Sequence, residues 1–153
     1  MSIEIKKIVN GKWRENCYIV KNGSSKNAII IDPGSAAEQI ANYTLTHNLK
    51  ILAIVNTHAH YDHIGAVVDL KEKFSIPFYL HSQDLKLLKH ANLYRQIFDG
   101  EDILPIPIVD YFFDQITLPL ILNDLLIDVV FTPGHTQGSV CFLIGDYLFN
   151  LVS

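Results

Sequence analysis

The segment ILAIVNTHAHYDHIGA (residues 51–66) joins an apolar run to a cluster of potential metal ligands. The run ILAIV is continuous and rich in β-branched residues, as expected for a strand that is covered on both faces. His58 and His60 are two positions apart, and such positions project to the same side of an extended segment. Asp62 and His63 follow at the predicted turn into a helix, where the reversing backbone can direct them to a neighbouring point. The segment therefore predicts a metal site at the tip of a strand.

A further histidine follows another apolar strand, in the segment TPGHTQGS (132–139). Pro133 and Gly134 predict a tight loop around His135, and Gly138 relieves crowding behind it. Both segments run from an apolar strand through a threonine to a histidine, so the two loops would lie at the same edge of a sheet system. Imidazole nitrogens bind a borderline cation such as Zn²⁺ at about 2.0–2.1 Å.

Each of these side chains also has an ordinary structural interpretation. Asp62 could be only the N-cap of the following helix, and isolated histidines are more often surface or core residues than ligands. Three histidines and an aspartate at H-x-H-x-D-H spacing, with G-H-T-x-G-S downstream, favour a metal site. His47 and His90 lie in helical stretches and are predicted to be solvated.

The rest of the chain predicts a layered α/β domain spanning residues 1–153. Its 49% hydrophobic residues can bury a substantial core, and no linker divides it. Helical patterns flank the ILAIV strand on both sides. Residues 99–114 predict a loop. Further strands are predicted at IEIKKIV, CYIV, AIIID, PFYL, QITLPLIL, DLLIDVVFT and SVCFLIG.

Composition excludes several classes of partner. A net charge of −4 gives no electrostatic case for binding nucleic acid. No apolar stretch is long enough to span a membrane, and the first residues lack the apolar core of a signal peptide. The chain is therefore predicted to be cytoplasmic. Cys17 and Cys141 are predicted to be free thiols rather than a disulfide.

The motifs THAHYDHIGA and TPGHTQGSVCF resemble the signatures of the metallo-β-lactamase superfamily, in the arrangement of its glyoxalase II-like hydrolases. The segments NCYIV (16–20) and IIIDPG (29–34) resemble that family's opening strands. The resemblance extends from about residue 16 to residue 149 and implies a four-layer αββα sandwich.

By position, the resemblance implies that a first metal ion is bound by His58, His60 and His135. Asp62 and His63 resemble the ligands of a second ion. The implied cofactor is zinc, as one or two ions, with iron or manganese as alternatives. Zinc held by three imidazoles keeps a position open for water and lowers the pKa of that water from about 15.7 to about 7.

The resulting metal-bound hydroxide would attack a carbonyl carbon, and Asp62 would be the catalytic residue that orients it. The resemblance implies a small-molecule thioester substrate, with hydroxyacylglutathione as the leading candidate. His81 matches no ligand position of the family.

The chain departs from the family pattern near its end. Val152 stands about where the family has an aspartate that bridges both metals. The family's final histidine and last helices have no counterpart in the 153 residues. We therefore expect a single domain with an incomplete C-terminal half, either a shortened form of a longer hydrolase or a chain completed by a partner. Apolar strand surface left exposed there could support a homo-oligomer.

Other functions remain open at this point. A persulfide dioxygenase-like oxidoreductase would hold one iron at the three-histidine site. A catalytically silent truncated chain could still bind one zinc. A phosphodiesterase or RNA-processing nuclease is disfavoured by the acidic charge, and β-lactam hydrolysis by the lack of any export signal.

Overall fold

The first of two sheets is mixed and has six strands in chain order. The computed structural model describes residues 2–11, 14–98, 100 and 103–150. The strands β1 to β3 are antiparallel, whereas β3 to β6 run parallel. Their bounds are β1 (Ile3–Asn10), β2 (Glu15–Asn22), β3 (Asn27–Ile31), β4 (Lys50–Val55), β5 (Phe78–Leu80) and β6 (Tyr111–Phe112).

Helices make the connections that parallel strands require. Because the strands β3, β4 and β5 are parallel, the segments that follow them emerge at one edge of the sheet. This edge carries Asp32, the histidine cluster and Asp84. The connecting helices are α1 (Ala37–Thr46), α2 (Val67–Phe74), α3 (Leu85–Lys89) and α4 (Ala91–Phe98).

The second sheet is antiparallel, with the strand order β10-β9-β8-β7. Val130 of β8 pairs with Cys141 of β9. This pairing holds the two ends of the segment 132–139 together, so that it forms a closed loop. The strands are β7 (Leu120–Leu122), β8 (Leu125–Phe131), β9 (Val140–Ile144) and β10 (Tyr147–Phe149).

Two apolar cores lie on opposite faces of the first sheet because successive strand residues alternate between faces. Ile30 and Ile54 belong to the core beneath the helices. Ile29 and Val55 belong to the core between the sheets, where they meet Phe142 of β9. The order of layers is helices, first sheet, second sheet. The predicted α/β class is thereby confirmed.

The outer face of the second sheet is apolar and exposed. Leu126, Leu143 and Leu148 are 42%, 39% and 60% exposed. All four helices of the described ranges place their buried apolar residues in the core on the far side of the first sheet.

The predicted loop 99–114 contains the short strand β6, because Tyr111 and Phe112 pair with β5. Cys17 and Cys141 are free thiols, as predicted. Burial raises the pKa of the Cys17 thiol well above its usual value.

In the described ranges, no helix is both long and apolar enough to cross a bilayer.

Candidate metal centre

Three imidazoles from two distant loops form a compact cluster. The ring centroids lie 4.9 Å apart for His58 and His60, 5.0 Å for His58 and His135, and 4.6 Å for His60 and His135. One ring nitrogen of each lies within 4.8 Å of those of the other two. Two nitrogens bound to one tetrahedral zinc are about 3.3 Å apart. The cluster is therefore close to the spacing that a single ion requires.

The hydrogen bonds around Thr57 determine which nitrogen of His58 carries the proton. The Thr57 hydroxyl donates to a carboxylate oxygen of Asp32. Its single proton is thereby used, so the hydroxyl oxygen accepts from His58 Nδ1, which lies 2.9 Å away. His58 Nε2 is consequently the unprotonated nitrogen. It is buried and has no hydrogen-bond partner in the described residues. A metal ion is the partner that fits such an atom.

Burial also favours the neutral form of the cluster. It lowers the pKa of His58 far below its usual value, and His63, His60 and His135 add to the effect. The pKa of His60 is lowered by burial and then by the neighbouring His135. Neutral imidazole is the form that binds a metal. The chemistry of the donor set therefore fits a divalent transition-metal ion.

A second cluster lies beside the first. His63 Nδ1 is 3.2 Å from Asp32 Oδ2, and His63 Nε2 is 3.9 Å from Asp62 Oδ2. Burial by itself lowers the pKa of His63. The hydrogen bond to Asp32 and the charges of Asp32, Asp62 and Glu15 outweigh burial, so the pKa of His63 lies above its usual value.

Asp32 fits an orienting role better than a ligand role. Its carboxylate lies close enough to His58 and His63 to form a potential ligand group with them. However, its two oxygens already accept hydrogen bonds from the Thr57 amide, the Thr57 hydroxyl and His63. The bond to His63 leaves Nε2 directed toward Asp62, and carboxylates orient ligand histidines in this way in metal sites.

Two glycines allow the β3–α1 loop and the histidine loop to touch. A Cβ at Gly34 would overlap the carbonyl oxygen of Asp62, and a Cβ at Gly65 would overlap that of Gly34. Asn56 fixes the turn further, since its amide donates to the carbonyl oxygen of His63 at 2.8 Å. The backbone around Asp62 and His63 is therefore held by packing as well as by hydrogen bonds.

Sequence reasoning missed Asp32 and Asp84. Asp32 had a recognisable signal, because it follows the buried strand β3 directly. Asp84 had none. It is 1% exposed and accepts hydrogen bonds from residues 25 to 54 positions away.

The structure brings together all five predicted site residues, His58, His60, Asp62, His63 and His135. Their assignment as metal ligands stays a prediction. Among the described residues, the other histidines belong to neither cluster, although His90 lines an opening together with His60 and His135. His81 stacks on Phe131 at 4.5 Å between ring centroids, and His47 and His90 are exposed. Val152 lies outside the described residues.

Two of the openings beside the clusters are bordered by Asp62. A cavity of about 180 Å³ is bordered by Glu15, Asp62, His63 and His135. A wider cleft of about 510 Å³ is lined by His60, Tyr61, Asp62, Leu87, Tyr94 and Phe98. Asp62 borders both, so a molecule in either opening would contact it.

Comparison with known proteins extends the similarity beyond the site. Residues 10–149 match the profile of the Metallo-beta-lactamase superfamily. The probable metallo-hydrolase YqgX of Bacillus subtilis is 35% identical, over 88% of this chain and 66% of YqgX. The hydroxyacylglutathione hydrolase GloC of Haemophilus influenzae is 28% identical, over 98% of this chain and 73% of GloC.

Two crystal structures share the fold at similar identity. The B3 metallo-beta-lactamase BLEG-1 superposes with a TM-score of 0.82 at 35% identity, over 92% of this chain and 67% of BLEG-1. TTHA1623 in a di-iron-bound form gives 0.75 at 34% identity, over 90% of this chain and 66% of TTHA1623. This chain thus spans only about two thirds of the length of such proteins.

Proposed function

Because the chain belongs to the metallo-beta-lactamase superfamily, we propose that it is a metal-dependent hydrolase that cleaves small-molecule thioesters. Hydroxyacylglutathione is the leading substrate candidate, and the similarity to GloC supports this choice. The observation that carries the proposal is His58 Nε2, which is buried beside His60 and His135 and has no hydrogen-bond partner in the part of the chain that the structure describes.

The proposed roles follow from the contacts at the site. His58, His60 and His135 would hold the first ion. When bound, a divalent metal supplies activated water at neutral pH and stabilises negative charge that develops on a carbonyl oxygen. Asp62 borders both openings and would accept a hydrogen bond from the attacking water, which orients the water toward the carbonyl carbon.

Asp62 and His63 would also hold a second ion. His63 Nδ1 is engaged by Asp32, which leaves His63 Nε2 and the Asp62 carboxylate as neighbouring donors. These residues supply fewer donors than the three-histidine cluster. We therefore expect the second ion to bind more weakly than the first. Zinc is the proposed metal for both positions.

The wider cleft is the proposed substrate-binding site. Its lining joins the metal-site residues His60 and Asp62 to the apolar and aromatic side chains of Leu87, Tyr94 and Phe98. A thioester carbonyl near His60 would leave one of its two substituents against the aromatic rings. Removal of the apolar parts of that substituent from water would add to binding.

An iron-dependent oxidoreductase similar to persulfide dioxygenases is the second candidate. The di-iron form of TTHA1623, 34% identical, shows that a protein of this fold and similarity can hold iron. In that case the three-histidine cluster would bind one iron, and no hydrolysis of thioesters is expected.

The test combines metal analysis with turnover. The purified protein is analysed for zinc, iron and manganese, and hydrolysis of S-lactoylglutathione is followed with and without added Zn²⁺. We expect zinc-dependent turnover that disappears in His58→Ala and persists in His47→Ala, since His47 is an exposed residue at the end of α1 and belongs to neither cluster. Bound zinc without turnover above the buffer rate would indicate a catalytically silent chain. Bound iron with oxygen consumption would indicate the oxidoreductase.

A further inference from the structure

The carboxylate of Asp84 joins the two loops that carry the histidines. Asp84 Oδ2 accepts hydrogen bonds from the Ala59 amide and the Thr136 hydroxyl, each at 2.9 Å. Asp84 Oδ1 accepts from the Gly138 amide at 2.7 Å. The residue is 1% exposed, so water does not compete for these bonds. Ala59 stands between His58 and His60, whereas Thr136 and Gly138 follow His135.

Asp84 belongs to neither loop. It ends the 3₁₀ turn Ser82–Asp84 that follows β5, and its own amide donates to the carbonyl oxygen of His81 at 3.0 Å. The carboxylate is thus attached to a third element of the fold. Both histidine loops are held against this common support rather than only against each other.

The His135 loop packs tightly on Asp84. A Cβ at Gly138 would lie 2.6 Å from the Asp84 amide nitrogen and 2.8 Å from Asp84 Oδ1. Only a residue without a side chain permits that approach. The loop itself contains no helix or strand between Thr132 and Ser139. Its position therefore depends strongly on contacts such as these.

We propose that Asp84 is a positioning residue that sets the separation between the His58–His60 loop and the His135 loop. The inference rests on the proposed metal function of the three histidines. Asp84 acts through Ala59, Thr136 and Gly138, and by this assignment it does not contact the ion. Loops that are held in place before the metal arrives lose less conformational freedom on binding, which raises affinity.

Asp84→Asn tests the proposal with almost no change in size. Asparagine has one acceptor oxygen, so its amide group must face either the Gly138 amide or the pair formed by Ala59 and Thr136. Removal of an outer partner of a metal site commonly lowers metal affinity about 10–100-fold. We expect a loss of that size for Zn²⁺, measured on the folded 153-residue chain by competition with a chromophoric chelator.

Co²⁺ absorption gives a second readout, because its visible spectrum reports the geometry of the nitrogen ligands. We expect an altered spectrum for Asp84→Asn. The matched control is Asp69→Asn. Asp69 lies at an exposed position of α2, outside the Ser82–Asp84 turn and outside both histidine loops. Its Zn²⁺ affinity and Co²⁺ spectrum should match those of the wild type.

Thr136→Val keeps the proposal testable if Asp84→Asn fails to fold. It removes one of the three bonds and should weaken Zn²⁺ binding by a smaller factor. Wild-type Zn²⁺ affinity and Co²⁺ spectrum in a folded variant, even with lowered stability of the metal-free protein, would overturn the inference and leave the proposed function intact. Absence of Zn²⁺ binding by the wild type would overturn both.

Discussion

His135 Nε2 lies 3.0 Å from His60 Nδ1, although 75 residues separate the two histidines in the chain. At this distance one of the nitrogens must carry a proton that the other accepts. A metal ion needs the lone pair of both. Metal binding at this point must therefore replace the hydrogen bond between the two rings, and one ring must move its proton to its other nitrogen.

The first prediction concerns His135 itself. His135→Ala removes one of the three ligand nitrogens. It removes little buried surface, because the His135 side chain is exposed. We expect the bound-metal stoichiometry and the thioester hydrolysis rate to fall sharply while the free energy of unfolding of the metal-free protein changes by less than about 0.5 kcal/mol. Metal analysis and urea denaturation measure the two quantities. His47→Ala, which alters an exposed histidine at the C-terminal end of α1, should change neither. A His135→Ala protein that retains full metal content would contradict the assignment.

The second prediction concerns the orienting carboxylate. Asp32→Asn places an amide opposite donors from Thr57 and His63, so at least one buried donor loses its acceptor. We expect the free energy of unfolding of the metal-free protein to fall by about 1–3 kcal/mol. Urea denaturation in the presence of a chelator measures it. Asp69→Asn, at an exposed position of α2, provides the control and should have little effect. Equal losses in the two variants would refute a special role for Asp32.

The third prediction tests the contact between the two loops. Gly34→Ala introduces a Cβ that overlaps the carbonyl oxygen of Asp62, which belongs to the backbone and cannot rotate away. We expect a destabilisation of about 1–3 kcal/mol or more, with weaker metal binding, because the turn that holds Asp62 must shift. Thermal unfolding and metal titration measure the two effects. In the control Gly23→Ala, the closest atom is the hydroxyl of Ser2, which can move aside. If Gly34→Ala is no more damaging than Gly23→Ala, the two loops are not in close contact.

The fourth prediction concerns pH. Burial raises the pKa of Glu15 from 4.5 to about 7, with the Asp62 carboxylate and a hydrogen bond to it contributing in the same direction. The folded protein thus favours the protonated carboxyl more than the unfolded chain does. This contribution to stability is complete below pH 4.5 and is lost as the pH rises through 7. In Glu15→Gln the group no longer titrates. The stability of the metal-free wild type relative to Glu15→Gln should therefore decrease between pH 5 and pH 8.

Urea denaturation of both proteins with a chelator at pH 5, 6, 7 and 8 measures that difference. Parallel stability curves for the wild type and Glu15→Gln would show that the Glu15 carboxyl is not perturbed. If the stability of the wild type relative to Glu15→Gln increased with pH, the pKa of Glu15 would be lowered on folding rather than raised.

The fifth prediction concerns the exposed face of the second sheet. Leu126, Leu143 and Leu148 present apolar surface on one face, and large apolar patches favour association. We expect the 153-residue chain to form concentration-dependent oligomers in sedimentation velocity experiments. The double variant Leu143→Lys, Leu148→Lys should shift the distribution toward monomer. Lys73→Glu, an exposed charge change on α2, should not. A monomeric wild type at high concentration would exclude this face as an oligomer contact.

The sequence by itself determined the α/β class and predicted the residues that cluster at the candidate metal centre. The two-residue spacing of His58 and His60 and the turn that places Asp62 and His63 are local properties of one strand end. The alternation of faces in β3 and β4 is equally local, because a strand side chain points away from its neighbour whatever the rest of the fold does. Such features can be predicted from a window of ten residues.

Only the tertiary structure decided how the two histidine loops are held. Asp32 and Asp84 accept hydrogen bonds from residues 25 to 54 positions away, and Gly34 and Gly138 matter because of the segments that pack on them. These contacts depend on strand order and register across two sheets. No local periodicity encodes a partner on another strand, so a buried carboxylate such as Asp84 is indistinguishable in sequence from a surface one. Strand order brings it to the donors that determine its role.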